Sequence, residues 1–499
     1  MTTLVVRNKN HAFLEVDCEP SVANELSDFF TFYVPGYRFI PAYKNKMWDG
    51  KIRLYDTRTK ELPAGLFVYL KEFVSTPGRE YELELVHQNY YGVPGSLLDI
   101  DMSFLSKYTI TSRGQKIAPR DYQLEAIEHG LTNKKAMLIS PTASGKSLII
   151  YSIIRWYLEN HSKKVIIIVP TTSLVEQMYK DFGDYSEYDD GFNVSESCHI
   201  IYSGREKNFK ERVVITTWQS IYKLPQSWFE SYGMVIGDEA HNFKAKSLTS
   251  ILTKCKEAEF RFGMTGTLDG TQTHKLVLEG YFGPAYYVTT TKKLMDEGSL
   301  ANLDISVLLL KYSDEICQVV NKMKYQDEVD FIVRNEARNN LIANLALDQD
   351  GNTLVLYQFV EKHGKPLYDI IRQKAHKSRK VFFVSGATDT EIREQIRTIT
   401  EKEKGAILVA SLGTFSTGIN IKNLHNIIFA SPSKSQIRVL QSIGRGLRKS
   451  DDGKDTKLYD LADDLHWKQN KNFTLNHAAE RIKIYTKEKF KYKIYEIGL

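Results

Sequence analysis

The chain reads as an α/β protein, with two domains built on mostly parallel sheets and a smaller α+β domain in front of them. Three observations predict this. First, two separate regions carry short β-rich apolar runs that end in small or polar residues and alternate with longer helical patterns. The earlier series is KKAMLISP (134–141), KKVIIIVP (163–170), RVVITT (212–217), YGMVIGDE (232–239) and RFGMTGT (261–267); the later is NTLVLYQF (352–359), KVFFVSG (380–386), GAILVAS (405–411) and NIIFAS (426–431). Second, these runs are continuously apolar, as strands covered on both faces must be. Third, residues 1–113 differ. Their segments GLFVYLKEF and YELELVHQ alternate in polarity between glycine and proline turns, which predicts a small α+β or β-rich unit. The expected division is 1–113, 114–290, 291–452 and a basic extension over 453–499, whose TKEKFKYKIYEI is compatible with a final helix or an edge strand.

Composition narrows the function classes. A chain of 499 residues, 42% hydrophobic and 26% charged, has enough apolar matter for several cores, which excludes a disordered chain. No run approaches the roughly 18 apolar residues of a membrane span, and MTTLVVRNKNHAFLEVD lacks a secretory apolar core. The expectation is a protein of the cytoplasm without a membrane partner. Cys18, Cys198, Cys255 and Cys317 lie far apart without metal-binding spacing. The formal charge of +6 is a mild bias toward polyanions.

The chemistry starts at LISPTASGKSLIIYSII, a strand, a small-residue loop and a helix start. Ser140 stands where a phosphate loop usually has its first glycine. Backbone N–H groups of Thr142, Ala143, Ser144, Gly145, Lys146 and Ser147 can face phosphate oxygens. Lys146 can reach the β and γ phosphates, and the Ser147 hydroxyl can hold magnesium. The plain alternative is an ordinary strand-to-helix turn. A later apolar strand in the same region ends in VIGDEAH (235–241), which puts two carboxylates at the end of a parallel strand. Asp238 can orient the metal there and Glu239 the attacking water. His241 either senses the nucleotide, couples the site to the next motif, or makes a structural hydrogen bond. In QSIGRGLRK (441–449), Gln441, Arg445 and Arg448 recur at helical spacing; they form either a solvated stripe or a charge-neutralising group for the departing phosphoryl, if the second domain closes on the first.

With these motifs in order, the chain resembles the superfamily 2 helicases and translocases. PTASGKS resembles motif I, VPTTSLVEQ motif Ia, ITTWQS motif Ib, GDEAH motif II and TGTL motif III; LVLYQFVEKHGK, VASLGTFSTGINI and QSIGRGLRK resemble motifs IV, V and VI. The resemblance covers about 117 to 449. It implies two RecA-like domains, ATP and Mg2+ as cofactors, and nucleic acid as partner. It assigns Gln123, supported by Arg120, to adenine recognition, Thr265 and Thr267 to coupling, and Gly418, with Ser416 and Thr417, to motif V. Motif V reads FSTGIN rather than the arginine–glycine–aspartate ending of the RNA-dependent DEAD-box branch, which favours DNA over RNA. The amino-terminal YVPGYRFIPAYKNKMWDGKIRLYD and the later HKLVLEGYFGP are similar to a recombination and repair branch of the superfamily found in T-even bacteriophages. That similarity implies action in the cytoplasm of an infected bacterium on branched double-stranded DNA, single-stranded DNA and RNA–DNA hybrids, with a monomer as the working unit. The competing readings are an RNA helicase, a restriction-enzyme motor and a non-catalytic scaffold of the same fold.

DNA-holding candidates follow from charge and motif position. Residues 38–60 hold seven Lys or Arg against two Asp, interleaved with Tyr43, Trp48 and Tyr55. Lys44, Lys46, Lys51 and Arg53 can meet phosphates and Trp48 a base, unless the aromatics anchor a small sheet instead. Residues 1–113 as a whole carry 13 basic and 14 acidic residues, so any such patch is local. Thr171, Thr216 and Gln219, in motifs Ia and Ib, are candidates for backbone contacts, and the seven basic residues from Lys471 to Lys493 form a second basic element.

Overall fold

The computed structural model describes residues 2–87, 99–189, 191–202, 208–243, 246–268, 272–418, 421, 423–432, 435, 439–440, 442–444, 447 and 453–499. The chain forms two compact units, one of residues 1–140 with 145–288 and one of 141–144 with 289–499.

The first unit begins with a four-stranded mixed sheet. Its strands β1 (Thr2–Asn8), β2 (Phe13–Asp17), β3 (Glu61–Pro63) and β4 (Tyr81–Leu85) lie in the order β3-β2-β1-β4, with β1 and β4 parallel and the other pairs antiparallel. Leu4, Val6, Leu14 and Val16 alternate onto the buried face, as the two-residue period of a strand requires. The segment GLFVYLKEF, whose alternation suggests a strand, folds instead as the helix Phe67–Val74. Phe67, Leu70 and Phe73 are its buried residues, and their spacing of three is that of one helix face.

This small core does not close on itself. It takes in Leu276 and Val277 from the helix Gln272–Phe282, which follows the TGTL segment of the next domain. The join is tight: a Cβ on Gly65 would fall 1.9 Å from the Glu279 carbonyl oxygen, so only glycine fits. Tyr69 donates to the buried Glu279 carboxylate, and the buried Lys135 ammonium donates to the His11 carbonyl.

The rest of the first unit is a seven-stranded parallel sheet. Strands β5 (Lys135–Ile139), β6 (Lys164–Val169), β7 (Cys198–Ile201), β8 (Val213–Thr217), β9 (Tyr232–Asp238), β10 (Phe260–Thr265) and β11 (Ala285–Tyr287) run in the order β7-β8-β6-β9-β10-β5-β11. All of β5, β8, β9 and β10 is buried, which accounts for their unbroken apolar sequences. Arg261 on β10, like Lys135 on β5, is an exception in chemistry. Its guanidinium is fully buried and donates to the carbonyls of Tyr281, Cys255 and Leu252, satisfying the end of the helix Lys246–Lys254 and its following turn.

The second unit repeats the plan. Strands β12 (Leu303–Lys311), β13 (Asn352–Tyr357), β14 (Val381–Val384), β15 (Ile407–Ser411), β16 (Leu424–Phe429), β17 (Thr456–Asp464) and β18 (Tyr492–Gly498) are all parallel, in the order β14-β15-β13-β16-β17-β12-β18. Two of these strands and the helix Phe473–Lys487 come from the segment that composition sets apart as an extension. TKEKFKYKIYEI is both things its sequence allows, the end of that helix and then the edge strand β18. Strand β17 is held by two buried ion pairs: Arg338 grips Asp463 with two hydrogen bonds of 2.7 and 3.0 Å, and Arg481 grips Asp460 at 2.7–2.9 Å. Positions 460 and 463 point to opposite faces of the strand, so each face carries one pair.

Candidate functional site

Register alone gathers the motifs of the first unit. Thr265 pairs with Ile139, Asp238 with Met264, Gly237 with Ile168 and Val169 with Thr217. The strands are parallel, so Ser140, Asp238, Thr265 and the starts of motifs Ia and Ib all emerge at the carboxyl edge of one sheet, where ligands of α/β folds bind. One strand, β10, separates the strand of the phosphate loop from that of the carboxylates.

The loop is fixed at both ends. The Ser140 N–H donates to the Thr265 carbonyl at 2.8 Å, and Ser144 bonds back to the Pro141 carbonyl through its hydroxyl at 2.7 Å. Ala143 (φ +66°) and Gly145 (φ +79°) take left-handed conformations, which turn the loop onto the start of the helix Lys146–Asn160. A Cβ at Gly145 would lie 2.4 Å from Gln123 Nε2. Gln123 is buried, and its Oε1 accepts the Arg120 N–H at 2.8 Å, so the pair assigned to adenine is seated directly behind the loop. Lys146 Nζ reaches across to the Ser140 carbonyl at 3.1 Å, and Ser147 Oγ lies 2.8 Å from Tyr185 Oη.

At the end of β9 the backbone turns sharply. Glu239 has φ +50°, rare for a residue with a side chain, and the Asp238 carboxylate accepts the Glu239 N–H at 2.8 Å. Burial, followed by the neighbouring Glu239 charge, pushes the Asp238 carboxyl above the ordinary carboxylate range, and the Lys146 ammonium pulls it back. His241 is buried between motifs: its Nδ1 lies 3.0 Å from Thr265 Oγ1 and 3.3 Å from Glu239 Oε2. Thr265 Oγ1 in turn donates to the Thr267 carbonyl at 3.0 Å. These contacts run from Glu239 in motif II to Thr265 in motif III, the geometry of a link and of a structural hydrogen bond alike.

On the accessory region, strands Thr31–Tyr33 and Lys51–Arg53 form an antiparallel ribbon, and residues 35–49 fold into short helical turns at its tip. Lys44 and Lys46 are exposed and, among the described residues, in no ion pair; Lys51 lies over the Tyr33 ring; Arg53 is bound to Asp49. The aromatic residues picked out by sequence turn inward. Tyr55 is 1% exposed and donates to the Val16 carbonyl, and the half-buried Trp48 donates its indole N–H to the Lys51 carbonyl at 2.9 Å. Phe39 (80% exposed) and Met47 (74%) face solvent instead, and the charge pattern carries no signal that singles them out.

Comparison with known proteins settles the family. The model of the amino-terminal domain of the DNA helicase UvsW matches residues 4–84, that of the type III restriction enzyme res subunit 116–270, and that of the helicase conserved C-terminal domain 336–450. The ATP-dependent DNA helicase uvsW of Enterobacteria phage T4 is 38% identical over 97% of this chain and 98% of its own length. The chain belongs to the UvsW family of superfamily 2 helicases. The crystal structure of T4 UvsW covers 99% of both chains at 35% identity with a TM-score of 0.52. The DNA 3'-5' translocase XPB2 of Sulfurisphaera tokodaii is 24% identical over 67% of this chain.

Membership of the UvsW family implies use of ATP and Mg2+, and the residues present fit both. The loop has the glycine that the Gln123 amide demands, and Ser147 and Asp238 are the hard oxygen donors that magnesium prefers. Two nucleic-acid candidates of the motor sit differently. Gln219 is exposed and Thr171 caps the helix Thr172–Tyr185, whereas Thr216 is fully buried with its hydroxyl donated to the Ile201 carbonyl at 2.9 Å. Strand pleating explains this: Thr216 lies inside β8, one residue short of the sheet edge. In the second unit Gly418 ends the helix Leu412–Gly418, begun by a bond between Ser411 and Thr414 hydroxyls at 2.6 Å. Gln441, Arg445 and Arg448 lie outside the described residues. No helix among the described residues is long and apolar enough to cross a membrane.

Proposed function

We propose that the chain couples ATP hydrolysis to the remodelling of branched DNA: forks, four-way junctions and RNA–DNA hybrids. The observation that carries this is the convergence of Lys146, Asp238, Glu239 and Thr265 at one sheet edge, with His241 bridging the carboxylates to motif III. In this reading Lys146 binds the terminal phosphates, and Ser147 and Asp238 hold Mg2+, which neutralises phosphate charge. Glu239 orients the attacking water and takes its proton as the water oxygen bonds to the γ phosphorus and ADP leaves. Gln123 and Arg120 read the base, Gly418 belongs to the motif V segment, and Arg445 and Arg448, beside Gln441, neutralise charge developing on the phosphoryl group.

Substrate class rests on the amino-terminal module, whose relative is a DNA helicase, and on its unpaired Lys44 and Lys46. Phosphate contact by these lysines gives affinity without sequence preference. The test of the chemistry is a pair of substitutions in the full chain. Lys146→Ala abolishes nucleotide binding. Glu239→Gln keeps nucleotide binding but lowers DNA-stimulated turnover by about 100-fold or more, the usual weight of a general base. Normal turnover by Glu239→Gln removes the base from the scheme.

A further inference from the structure

The tip of the amino-terminal ribbon presents two kinds of side chain that are seldom left exposed together. Its tyrosines are engaged: Tyr33 and Tyr37 stack at 4.7 Å, and Tyr43 meets Tyr37 edge-on at 4.7 Å. The Tyr37 ring also lies against Gly50, where a Cβ would fall 2.4 Å from it, so the tip has a fixed aromatic base. Phe39, on the same turn as Tyr37, and Met47, at the far end of the tip, are the most exposed large apolar residues among those described. The same segment carries Arg38, over the Tyr37 ring, Lys51, over the Tyr33 ring, and the exposed Lys44 and Lys46; Asp49, the acid of this segment, is bound to Arg53.

We infer that Phe39 and Met47 form an apolar tip that stacks on a nucleobase left unpaired at a DNA branch point, while the neighbouring lysines hold the phosphates on either side. The inference rests on the reading that this module grips DNA and assigns the tip a separate task within it. Charge selects the occupant. An apolar patch on a protein partner would leave the cations of this segment unmatched, whereas a nucleotide chain offers a base face and flanking phosphates at once. Geometry selects the branch. In an intact duplex each base face is covered by its neighbours, and a free face exists only where pairing is interrupted. The tip is also firmly mounted: the accessory core shares Leu276 and Val277 with the helix Gln272–Phe282, which follows Thr265 and Thr267 in sequence. A base caught by the tip is therefore held against a body that the motor itself moves.

The test uses the full-length protein on a four-way junction and a fork carrying 2-aminopurine at the branch nucleotide, with linear duplex as control. Four variants are compared: Phe39→Ala with Met47→Ala, Phe39→Trp, Phe39→Leu, and Lys44→Ala with Lys46→Ala. Because Phe39 and Met47 are exposed, their removal leaves the fold intact, which circular dichroism and ATPase on linear duplex check. The expected result for Phe39→Ala/Met47→Ala is affinity for the junction and the fork lowered roughly tenfold, the weight of one lost base stack, with affinity for linear duplex within about threefold of the parent and ATP-driven strand rearrangement slowed. The 2-aminopurine signal change on binding is lost as well, restored by Phe39→Trp and not by Phe39→Leu. Unchanged rearrangement and signal in the double alanine variant overturn the inference and leave the patch to a protein partner. Equal loss of affinity on branched and linear DNA also overturns it, since the tip would then be part of a general grip. The lysine variant tests the underlying reading separately: if it binds DNA as the parent does, the module does not grip phosphates, whatever the stacking signal shows.

Discussion

Gly145 and Glu239 both hold left-handed backbone, for different reasons. At Gly145 the loop must turn while Gln123 occupies the space a side chain would need. Gly145→Ala should therefore abolish nucleotide binding. Gln123→Ala in the same chain removes the clash but leaves the backbone strain and takes away the amide proposed to read the base, so calorimetric titration with ATP should show at most partial restoration of binding. Glu239 keeps a side chain in that region at a cost of order 1 kcal/mol or more, and such strain is retained where it aims a functional group. A second residue makes a pH prediction. His363 is fully buried, its Nδ1 2.9 Å from Ser431 Oγ, and burial followed by the Arg338 charge pulls it down to about 3. Its folded value lies below the unfolded one near 6.5, so the unfolded chain binds the proton more readily. The stability tied to neutral His363 is fully present above about pH 6.5 and is lost toward pH 3 at up to about 1.4 kcal/mol per unit. His363→Gln should flatten the fall of the unfolding midpoint between pH 7 and 5; an identical fall in both chains contradicts the assignment.

At the level of elements, the carboxy-terminal segment is the least expected finding. Its polar, basic composition gives no hint that β17 and β18 flank β12, because that pairing joins residues about 150 to 190 apart in sequence and local periodicity cannot report it. Truncation after residue 452 removes two strands, a covering helix and the partners of Arg338, and should yield protein whose second unit does not unfold cooperatively. Asp463→Asn, which breaks one buried pair and leaves Arg338 without its counter-charge, should destabilise that unit by about 3–5 kcal/mol. Denaturant melts of the two variants check both outcomes, and a truncated chain melting like the parent would contradict the structural role. Strands β5, β6, β8, β9, β10, β13, β14, β15 and β16, by contrast, were legible because each is a continuous apolar run bounded by turn residues, whereas β7 and β12 were not singled out. The helix Phe67–Val74 was not, since seven or eight residues of mixed polarity satisfy either period until Phe67, Leu70 and Phe73 are seen to share a core.

For the whole molecule, the gathering of Ser140, Asp238 and Thr265 at one edge was legible, because each closes an apolar run and parallel register brings such ends together; the proposed nucleotide roles follow from residue types at fixed spacing. The surface proposed to hold DNA was legible only as charge. Nothing in the order of residues 38–60 distinguishes Tyr55, which packs inside, from Phe39, which does not; packing against β2 decides the first, and the second is 80% exposed. Thr216 shows the same limit within a motif. If Lys44 and Lys46 each meet a phosphate, replacing both with alanine should flatten the log–log dependence of duplex binding on salt by about 1.8. In the proposed function, hydrolysis at Lys146, Asp238 and Glu239 drives rearrangement of branched DNA. The most direct measurement follows strand displacement on matched four-way, forked and linear DNA, with and without ATP, for the parent chain and Glu239→Gln side by side. The account predicts ATP-dependent displacement that favours the branched substrates and disappears in Glu239→Gln; displacement that needs no ATP, survives in Glu239→Gln, or is equal on linear duplex would contradict it.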